Sequence, residues 1–178
     1  MGVRACAWFA QQEFGATGNW VRDELLPRLD HYRRPLALLD ERLEHLHRQV
    51  PQVDAIIDIP GVGLYTALLI IGELGEVHRF RTARQVGSYA GLTSRVHQSG
   101  GHCYRGRITR QGSPWLRWIL VEAAIKAVRN DPRLKNFYVR VRKRSGAKIA
   151  RVAVARKLAE ICWKRLIRWH GRPVPSVA

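Results

Sequence analysis

The sequence predicts a mainly α-helical chain, and the spacing of its apolar residues is the main reason. Apolar side chains recur every three or four positions through most of the 178 residues, as they do along one face of a helix. They make up 46% of the composition, which is enough to form a core. No apolar run reaches the length of a bilayer crossing, and the three scattered cysteines form no CxxC pair. We therefore expect a cytoplasmic helical protein without a disulfide framework.

The formal net charge of +17 is distributed unevenly along the chain. Residues 1–78 carry 7 Lys and Arg against 11 Asp and Glu, a net charge of −4, whereas residues 79–172 carry 24 against 3, a net charge of +21. So strong a positive charge destabilises a compact chain unless a polyanion screens it, and nucleic acid is the commonest polyanion. The second half is therefore predicted to bind nucleic acid. A membrane surface is the second candidate and is not favoured.

Two segments precede the basic half. Residues 1–20 show no clear period and are predicted to be irregular. Residues 21–52 are predicted to form a long coiled-coil linker helix that pairs with another domain or with another chain, and a homo-oligomer is expected through it. A helix packed on its own domain is the alternative. Pro27 is expected near the helix start, and Pro35 is expected to kink or interrupt the helix. The prediction rests on a 4,3 heptad spacing of Leu25, Leu29, Tyr32, Leu36, Leu39, Leu43, Leu46 and Val50.

Residues 53–170 are predicted to form the main domain, which opens with a helix-hairpin-helix unit. The stretch DAIIDIPGVGLYTALLIIGELG places a Pro-Gly-Val-Gly turn before an apolar helix that starts at Leu64. Gly61 and Gly63 allow a tight turn, and the amides that open the second helix are suited to hold a backbone phosphate. The alternative is an ordinary tight turn between two core helices.

Four further helices are predicted, followed by a flexible tail at residues 171–178. In the second of them, Ser113 is the N-cap and Pro114 the first helical residue. The last helix is expected to turn Ile149 and Val152 toward the core. The helices are expected at residues 80–90, 114–130, 132–142 and about 147–169, with a basic turn at residues 143–146 before the last one.

The stretch GLTSRVHQSGGHCYRGRITRQGSPWLR, residues 91–117, is rich in arginine and glycine and contains no carboxylate. It is predicted to be a loop with a short hairpin around residues 103–108. Ser99 precedes Gly100 and Gly101, which would let a phosphate approach the serine hydroxyl closely. Fixed positive charge would then stabilise the oxygens when the hydroxyl attacks. The candidate phosphate-binding arginines are Arg95, Arg105, Arg107, Arg110 and Arg117.

Residue types alone leave the chemistry of this stretch open. A serine before two glycines in a basic loop is most often only part of a solvated loop. His97 is placed to accept the serine proton. A zinc site made by His97, His102 and Cys103 would lack a fourth ligand, so no metal-binding residue is assigned.

Carboxylates are scarce in the basic half, which argues against a two-metal site there. Residues 79–172 contain only Glu122, Asp131 and Glu160, and their positions do not suggest a cluster. Cations crowd the last two predicted helices, and almost no acidic residue balances them. This helical hairpin is therefore expected to contact nucleic acid through Arg140, Arg142, Lys143, Arg144, Lys148, Arg151, Arg156 and Lys157.

Four segments of the chain come in the order found in a known family. They read IDIPGVGLYTALLIIGELG, FRTARQVGSYAGLTSRVHQSGG, RGRITRQGSPWLRWILVEAA and RVAVARKLAEI, within residues 54–168. Together they resemble the C-terminal transposase domain of the one-ten/one-sixteen family of insertion-sequence transposases. Residues 21–50 resemble the coiled-coil linker that precedes this domain, and Ser94 stands where the family usually has proline.

The resemblance implies a DNA recombinase of the bacterial cytoplasm, associated with the nucleoid. Family members act as oligomers, are guided by a structured RNA, and join this domain to a RuvC-like domain with a DEDD carboxylate set. The family's catalytic serine falls on Ser99, and Mg²⁺ is expected only in the RuvC-like domain. No DEDD segment precedes the linker in the sequence given, so the chain is expected to be a truncated member that binds nucleic acid but does not recombine DNA alone.

Two other functions remain open from the sequence. One is a non-catalytic nucleic-acid-binding module that uses the same hairpin and basic helices. The other is a basic protein associated with the ribosome or with RNA, which would bind RNA irrespective of element sequence.

Overall fold

The computed structural model describes residues 3–99 and 102–171, and between residues 96 and 105 it describes only the strand backbone. These residues are mainly helical, which confirms the predicted fold class. The chain divides into a unit of residues 1–46 and a unit of residues 47–178. Helices and strands follow the order α1 Val3–Ala10, α2 Gly15–Gln49, α3 Leu64–Leu74, α4 Ala83–Tyr89, β1 Ser94–Ser99, β2 His102–Ile108, α5 Pro114–Asn130, α6 Pro132–Ser145 and α7 Ala147–Trp169, with 3-10 helices at Pro51–Ala55 and Val77–Arg79.

The first unit begins with helix where an irregular segment is predicted. α1 covers Val3–Ala10, and α2 starts at Gly15 rather than at residue 21. The rings of Phe9 and Phe14 lie 4.9 Å apart across the connection, and the amide of Phe14 donates to Asn19 Oδ1 at 3.0 Å. These contacts join neighbouring elements, so a search for periodicity along the chain does not detect them.

Helix α2 runs through both of its prolines. The predicted interruption at Pro35 is wrong, and Pro27 lies in the interior rather than near the start. Each proline removes one backbone hydrogen bond, and the turns on either side continue the helix. No residue of α2 is buried, so its apolar seam has no cover within the described residues. The exposed seam residues are Leu25, Leu29, Tyr32, Leu36, Leu39 and Leu46.

The core of the second unit is built around α7, which packs against α4, α5 and α6. Trp163 is buried at its centre, and its indole Nε1 donates to the carbonyl oxygen of Val77 at 3.0 Å. Burying an indole is favourable when its N–H finds an acceptor in this way. The other large side chains of this core with almost no exposure are Ile56, Ile70, Leu74, Leu116, Leu120, Leu158 and Leu166.

Side-chain caps fix where two of these helices start. Ser113 Oγ accepts the amide of Leu116 at 3.1 Å at the start of α5, as the Ser-Pro pair predicts. Asp131 Oδ1 accepts the amides of Arg133 and Leu134 at the start of α6. The tight succession of α5 and α6 follows from this shared residue, because Asp131 ends one helix and caps the next.

A two-stranded antiparallel sheet lies between α4 and α5, where the sequence predicts a loop with a short hairpin. Ser94 pairs with Ile108 at its base, and Ser99 pairs with His102 at its tip. The register shifts between Ser94 and Val96, as in a β-bulge, so Arg95 lies opposite two residues. β1 reads SRVHQS, which has no apolar alternation, and its sequence therefore gives little sign of a strand.

The Pro-Gly-Val-Gly turn lies between a 3-10 helix and α3. The segment before it forms a 3-10 helix at Pro51–Ala55 rather than an α-helix, so the predicted helix-hairpin-helix is not confirmed. The amide of Val62 donates to the carbonyl of Ile59 at 2.9 Å and closes the turn. Of the predicted tail at residues 171–178, residues 172–178 are outside the described residues.

Candidate nucleic-acid interface

The two glycines of the turn have different surroundings. Gly61 has φ of 88° and lies against α5, where a Cβ would come within 2.4 Å of the carbonyl oxygen of Ala123. It therefore allows the turn to approach the backbone of α5. Gly63 is exposed and is the N-cap of α3, and a Cβ placed there meets nothing within 4 Å. Only Gly63 has the open surroundings that the predicted phosphate contact needs.

Ser99 is the last residue of β1, at the tip of the hairpin. It pairs with His102, and the two residues between them in the sequence are Gly100 and Gly101. Both glycines are outside the described residues, as are the side chains of Ser99 and Arg105. The structure thus places the backbone of the candidate nucleophile on a strand end, and the predicted role of its hydroxyl stays a prediction.

The remaining predicted arginines lie at or beyond the base of the hairpin. Arg95 and Arg107 lie at the bulge, and Arg95 Nη2 donates to the carbonyl of Thr109 at 3.4 Å. Arg110 is exposed and has φ of 55°, which is uncommon for a residue with a side chain. Arg117 Nη1 donates to the carbonyls of Ala90 and Arg110 at 3.3 and 3.2 Å, so its guanidinium ties the loop after β2 to the end of α4.

These positions do not gather all five arginines around Ser99. The six residues of β1 run from Ser94 at the base to Ser99 at the tip, which is five steps of about 3.3 Å each, so base and tip are about 16 Å apart. Arg110 and Arg117 follow the hairpin in the sequence, beyond its base and at the opposite end from Ser99. Two of the five, Arg107 and Arg110, line a neighbouring cleft.

This cleft, called the hairpin cleft below, lies between the base of the hairpin and the start of α7, and its volume is about 830 Å³. One carboxylate, Glu160, is among its lining residues. Five cations line it, so an anionic ligand is strongly favoured. They are Arg107, Arg110, Lys148, Arg156 and Lys157.

Two contacts orient Arg156 within the hairpin cleft. Its Nε lies 3.3 Å from Oε1 of Glu160, one turn further along α7. Its stem crosses Gly87 of α4, where an added Cβ would come within 3.1 Å of Arg156 Cγ. The stem of Arg156 therefore packs closely over Gly87.

The other part of the lining is apolar. Leu92 is buried, whereas Ile149 is 58% exposed. The sequence predicts Ile149 on the core face of the last helix, and that prediction is wrong because the start of α7 borders the cleft. The apolar residues that line the cleft are Leu92, Ile108, Phe137, Ile149, Val152 and Ala153, which form its apolar wall.

A second cleft of about 550 Å³, called the turn cleft below, lies between the Ile59-Pro60 turn, α6 and α7. Phe137 and Lys157 line both clefts. The Phe137 ring has the guanidinium of Arg140 and the ammonium of Lys157 each 5.6 Å from its centroid, within cation–π range. The cations that line the turn cleft are Arg133, Arg140, Lys157 and Arg165.

Arg165 is held at the turn cleft by an ion pair with Asp58. The hydrogen bond from the Arg165 guanidinium holds the pKa of Asp58 below its ordinary value, and the same bond raises the pKa of Arg165. Asp58 directly precedes the Ile59-Pro60 turn, so the pair links this turn to α7. The sequence shows that α7 is strongly basic. The ion pair joins residues 107 positions apart, so no local sequence pattern indicates it.

The described carboxylates of the basic half do not form a metal site. Glu160 pairs with Arg156, Asp131 caps α6, and Glu122 is exposed on α5. Among the side chains that the structure describes, no group of three or more His, Cys, Asp or Glu could hold a metal ion. The resemblance assigns Mg²⁺ to another domain, and Glu122, Asp131 and Glu160 do not form a site that fits this ion. Over the same residues, no helix has the length and apolarity of a membrane span.

Comparison with known proteins gives a consistent family. Residues 53–139 match the family model described as "Transposase IS116/IS110/IS902 family". The chain is 32% identical over 133 residues to a transposase for insertion sequence element IS1111A from Coxiella burnetii, and 29% identical over 144 residues to a probable family 20 transposase from Pseudomonas aeruginosa. It is 28% identical over 155 residues to a pilin gene-inverting protein from Moraxella bovis.

These matches cover most of this chain but only part of each relative. They include 72%, 75% and 83% of the chain, and 36%, 43% and 48% of the Coxiella, Pseudomonas and Moraxella proteins. The chain thus spans less than half the length of the curated relatives that it matches. The chain aligns with one part of each of these relatives.

Proposed function

The chain belongs, through residues 53–139, to the IS116/IS110/IS902 family of transposases, and we propose that it binds DNA during the movement of an insertion sequence. The observation that carries this proposal is the pair of adjoining clefts on α6 and α7, lined by cations on both sides of Phe137. Phosphates are the groups that such a surface binds, and the contact is independent of base sequence. A protein with this function is expected on the nucleoid of the bacterial cytoplasm.

The experiment measures how DNA affinity depends on salt. The full chain is titrated with a fluorescent duplex at several salt concentrations, and the slope of log affinity against log salt counts the phosphates contacted. Replacing Lys148, Arg156 and Lys157 by glutamine should lower the slope magnitude by about 2 to 3, at about 0.9 per lost phosphate contact.

The matched control removes the same charge from α2. Arg28, Arg34 and Arg42 are all exposed, and changing them to glutamine should leave the slope nearly unchanged. An equal loss of slope in both triple variants would show that net charge, rather than the clefts, determines binding. An unchanged affinity of the wild-type chain between low and high salt would contradict the DNA-binding proposal itself.

We further propose that Ser99 is the nucleophile of strand cleavage. Its Oγ would bond to the phosphorus of a phosphodiester while the bond to one nucleotide oxygen breaks, and that oxygen leaves as a hydroxyl after taking up a proton. His97 is the nearest candidate in the sequence to accept the serine proton. The ester keeps the energy of the broken bond, so attack by a nucleotide hydroxyl can rejoin the strand. The non-catalytic binding module remains the alternative.

Covalent trapping separates these two functions. The chain is mixed with nicked DNA, and with the other domains of a relative supplied as a separate polypeptide, and adducts are counted on a denaturing gel. Wild type should form an adduct, and Ser99→Ala should form none while its DNA affinity stays the same. If wild type forms no adduct in the presence of the added domains, the binding-module function is favoured. An adduct on Ser99→Ala would show that another residue is the nucleophile.

The seam of α2 supports a further proposal, that the chain forms homo-oligomers through a coiled coil. Leu36 and Leu39 are both more than half exposed and follow the heptad spacing, whereas Leu38 is equally exposed but lies off the seam. Leu39→Glu should shift the sedimentation coefficient toward the monomer value, and Leu38→Glu should not. A monomeric wild-type chain would contradict this proposal.

A structured guide RNA is the remaining proposed partner. The clefts carry the charge that RNA phosphates require, so charge does not decide between RNA and DNA. Competition at a fixed salt concentration tests the proposal, because a structured RNA from the element's own ends should displace duplex DNA better than an unrelated RNA of equal length. Equal displacement by both RNAs would favour general binding of RNA, as in a ribosome-associated protein.

A further inference from the structure

The hairpin cleft has a feature that a groove for phosphates alone does not require. Its wall includes Ile149, which is 58% exposed, together with the half-buried Phe137 and Val152. An exposed apolar wall beside five cations is suited to a ligand with a flat apolar face and a negative charge. A nucleotide has both.

We propose that the hairpin cleft binds an unpaired nucleotide, with its base against the apolar wall and its phosphates on the surrounding cations. This inference rests on the proposed nucleic-acid binding and goes beyond it, because it assigns the binding to one cleft and requires that the bound nucleotide is unpaired. In a duplex the faces of each base are covered by the neighbouring bases. Only an unpaired nucleotide presents a face to an aromatic or aliphatic side chain.

The size and charge of the cleft agree with such a ligand. A volume of about 830 Å³ is within the usual range for sites that enclose a small organic ligand. Lys148 and Ile149 are neighbours at the start of α7, so a cation and the most exposed part of the wall lie side by side. Arg156 already pairs with Glu160, which lowers the entropic cost of fixing it on a phosphate.

A second surface of the chain also offers aromatic faces and has to be separated from the cleft. Trp115 and Trp118 on α5 are 62% and 46% exposed, and their rings lie 6.1 Å apart. Neither residue is among those that line the two clefts. Stacking on this tryptophan pair would also make a strand with bases bind more tightly than a strand without them. The experiment therefore tests substitutions at both surfaces.

The test compares two single strands that carry equal numbers of phosphates. One is an oligothymidylate of about 15 nucleotides, within the length that single-strand binders cover, and the other is an abasic strand of the same length. Fluorescence anisotropy with the full chain should show the oligothymidylate binding about fivefold or more tightly, because base stacking adds to the shared phosphate contacts.

Ile149→Ala should bring the ratio of the two affinities, oligothymidylate over abasic strand, close to one without changing the affinity for the abasic strand. The side chain is exposed, so its loss does not threaten the fold. Val139→Ala is the matched control, because Val139 is exposed on α6 and is not among the residues that line either cleft. That variant should keep the wild-type ratio.

Two results would overturn the proposal. One is equal affinity of wild type for both strands. The other is a ratio that survives Ile149→Ala but disappears in the double variant Trp115→Ala and Trp118→Ala, which would assign base stacking to the tryptophans. In both cases the strands still bind, so the proposed DNA-binding function would stand. Absence of binding by either strand would instead contradict that function.

Discussion

Gly61 lies so close to Ala123 that a Cβ on Gly61 would be 2.4 Å from the Ala123 carbonyl oxygen and 2.8 Å from the amide nitrogen of Ala127. The turn before α3 is therefore docked on the backbone of α5. Gly63, two residues later, is exposed and has no such neighbour. One turn thus contains one glycine required for packing and one that is open to solvent.

The same substitution at these two glycines should have different effects. Gly61→Ser introduces a clash and forces a positive φ on a residue with a side chain, and we expect a loss of about 1 to 3 kcal/mol in the free energy of unfolding. Gly63→Ser provides a good N-cap for α3 and should leave stability unchanged or slightly higher. Urea unfolding followed by circular dichroism measures both, and equal losses would contradict the docking of Gly61 on α5.

Arg117 should prove important for the fold rather than for DNA. Its guanidinium donates to two backbone carbonyls, so Arg117→Ala should lower the free energy of unfolding by about 1.5 to 3 kcal/mol. The salt slope of DNA binding should not change, because no phosphate contact is lost. Unchanged stability together with a slope reduced by about 0.9 would show instead that Arg117 binds a phosphate.

Cys162 should be an unreactive thiol in the native protein. Burial raises its pKa to about 12, so at pH 8 the thiol is protonated as well as inaccessible. In a Cys6→Ser, Cys103→Ser background, iodoacetamide should label Cys162 only when denaturant is added. Fast labelling of the native chain would show that the core around α7 opens readily.

The Asp58–Arg165 pair should contribute a small stability that depends on pH. The depressed pKa of Asp58 means that the contribution is present above the unfolded pKa, near 3.9, and is lost as pH falls through the lower folded value. Since the Asp58 side chain is 63% exposed, the coupling at pH 7 should be only about 0.2 to 1 kcal/mol. A double-mutant cycle of Asp58→Asn and Arg165→Gln measures it, and coupling that persists at pH 2 would contradict the assignment.

The sequence predicts the helical core of the second unit well, because that core follows local periodicity. Five apolar residues that follow the helical period along one face of α5 are all buried: Leu116, Ile119, Leu120, Ala123 and Ala127. The cap at Ser113 is predicted for the same reason, since a cap depends on residues only three positions apart.

Features that depend on distant residues are the ones that the sequence does not predict. Ile149 follows the helical period of the core face, yet it is exposed because none of the side chains that the structure describes covers the start of α7 at the cleft. β1 lacks apolar alternation and is a strand because β2 pairs with it. The arginines between residues 91 and 117 look like one cluster in the sequence, but the length of the hairpin separates the tip from the base.

Phe137 and Lys157 border both clefts, so the energetics of the two clefts are not independent. If the Phe137 ring reorients toward a ligand in one cleft, the contacts that it offers to a ligand in the other cleft change as well. Substitutions on opposite sides of Phe137 should therefore show non-additive effects on affinity, whereas substitutions at remote sites should add.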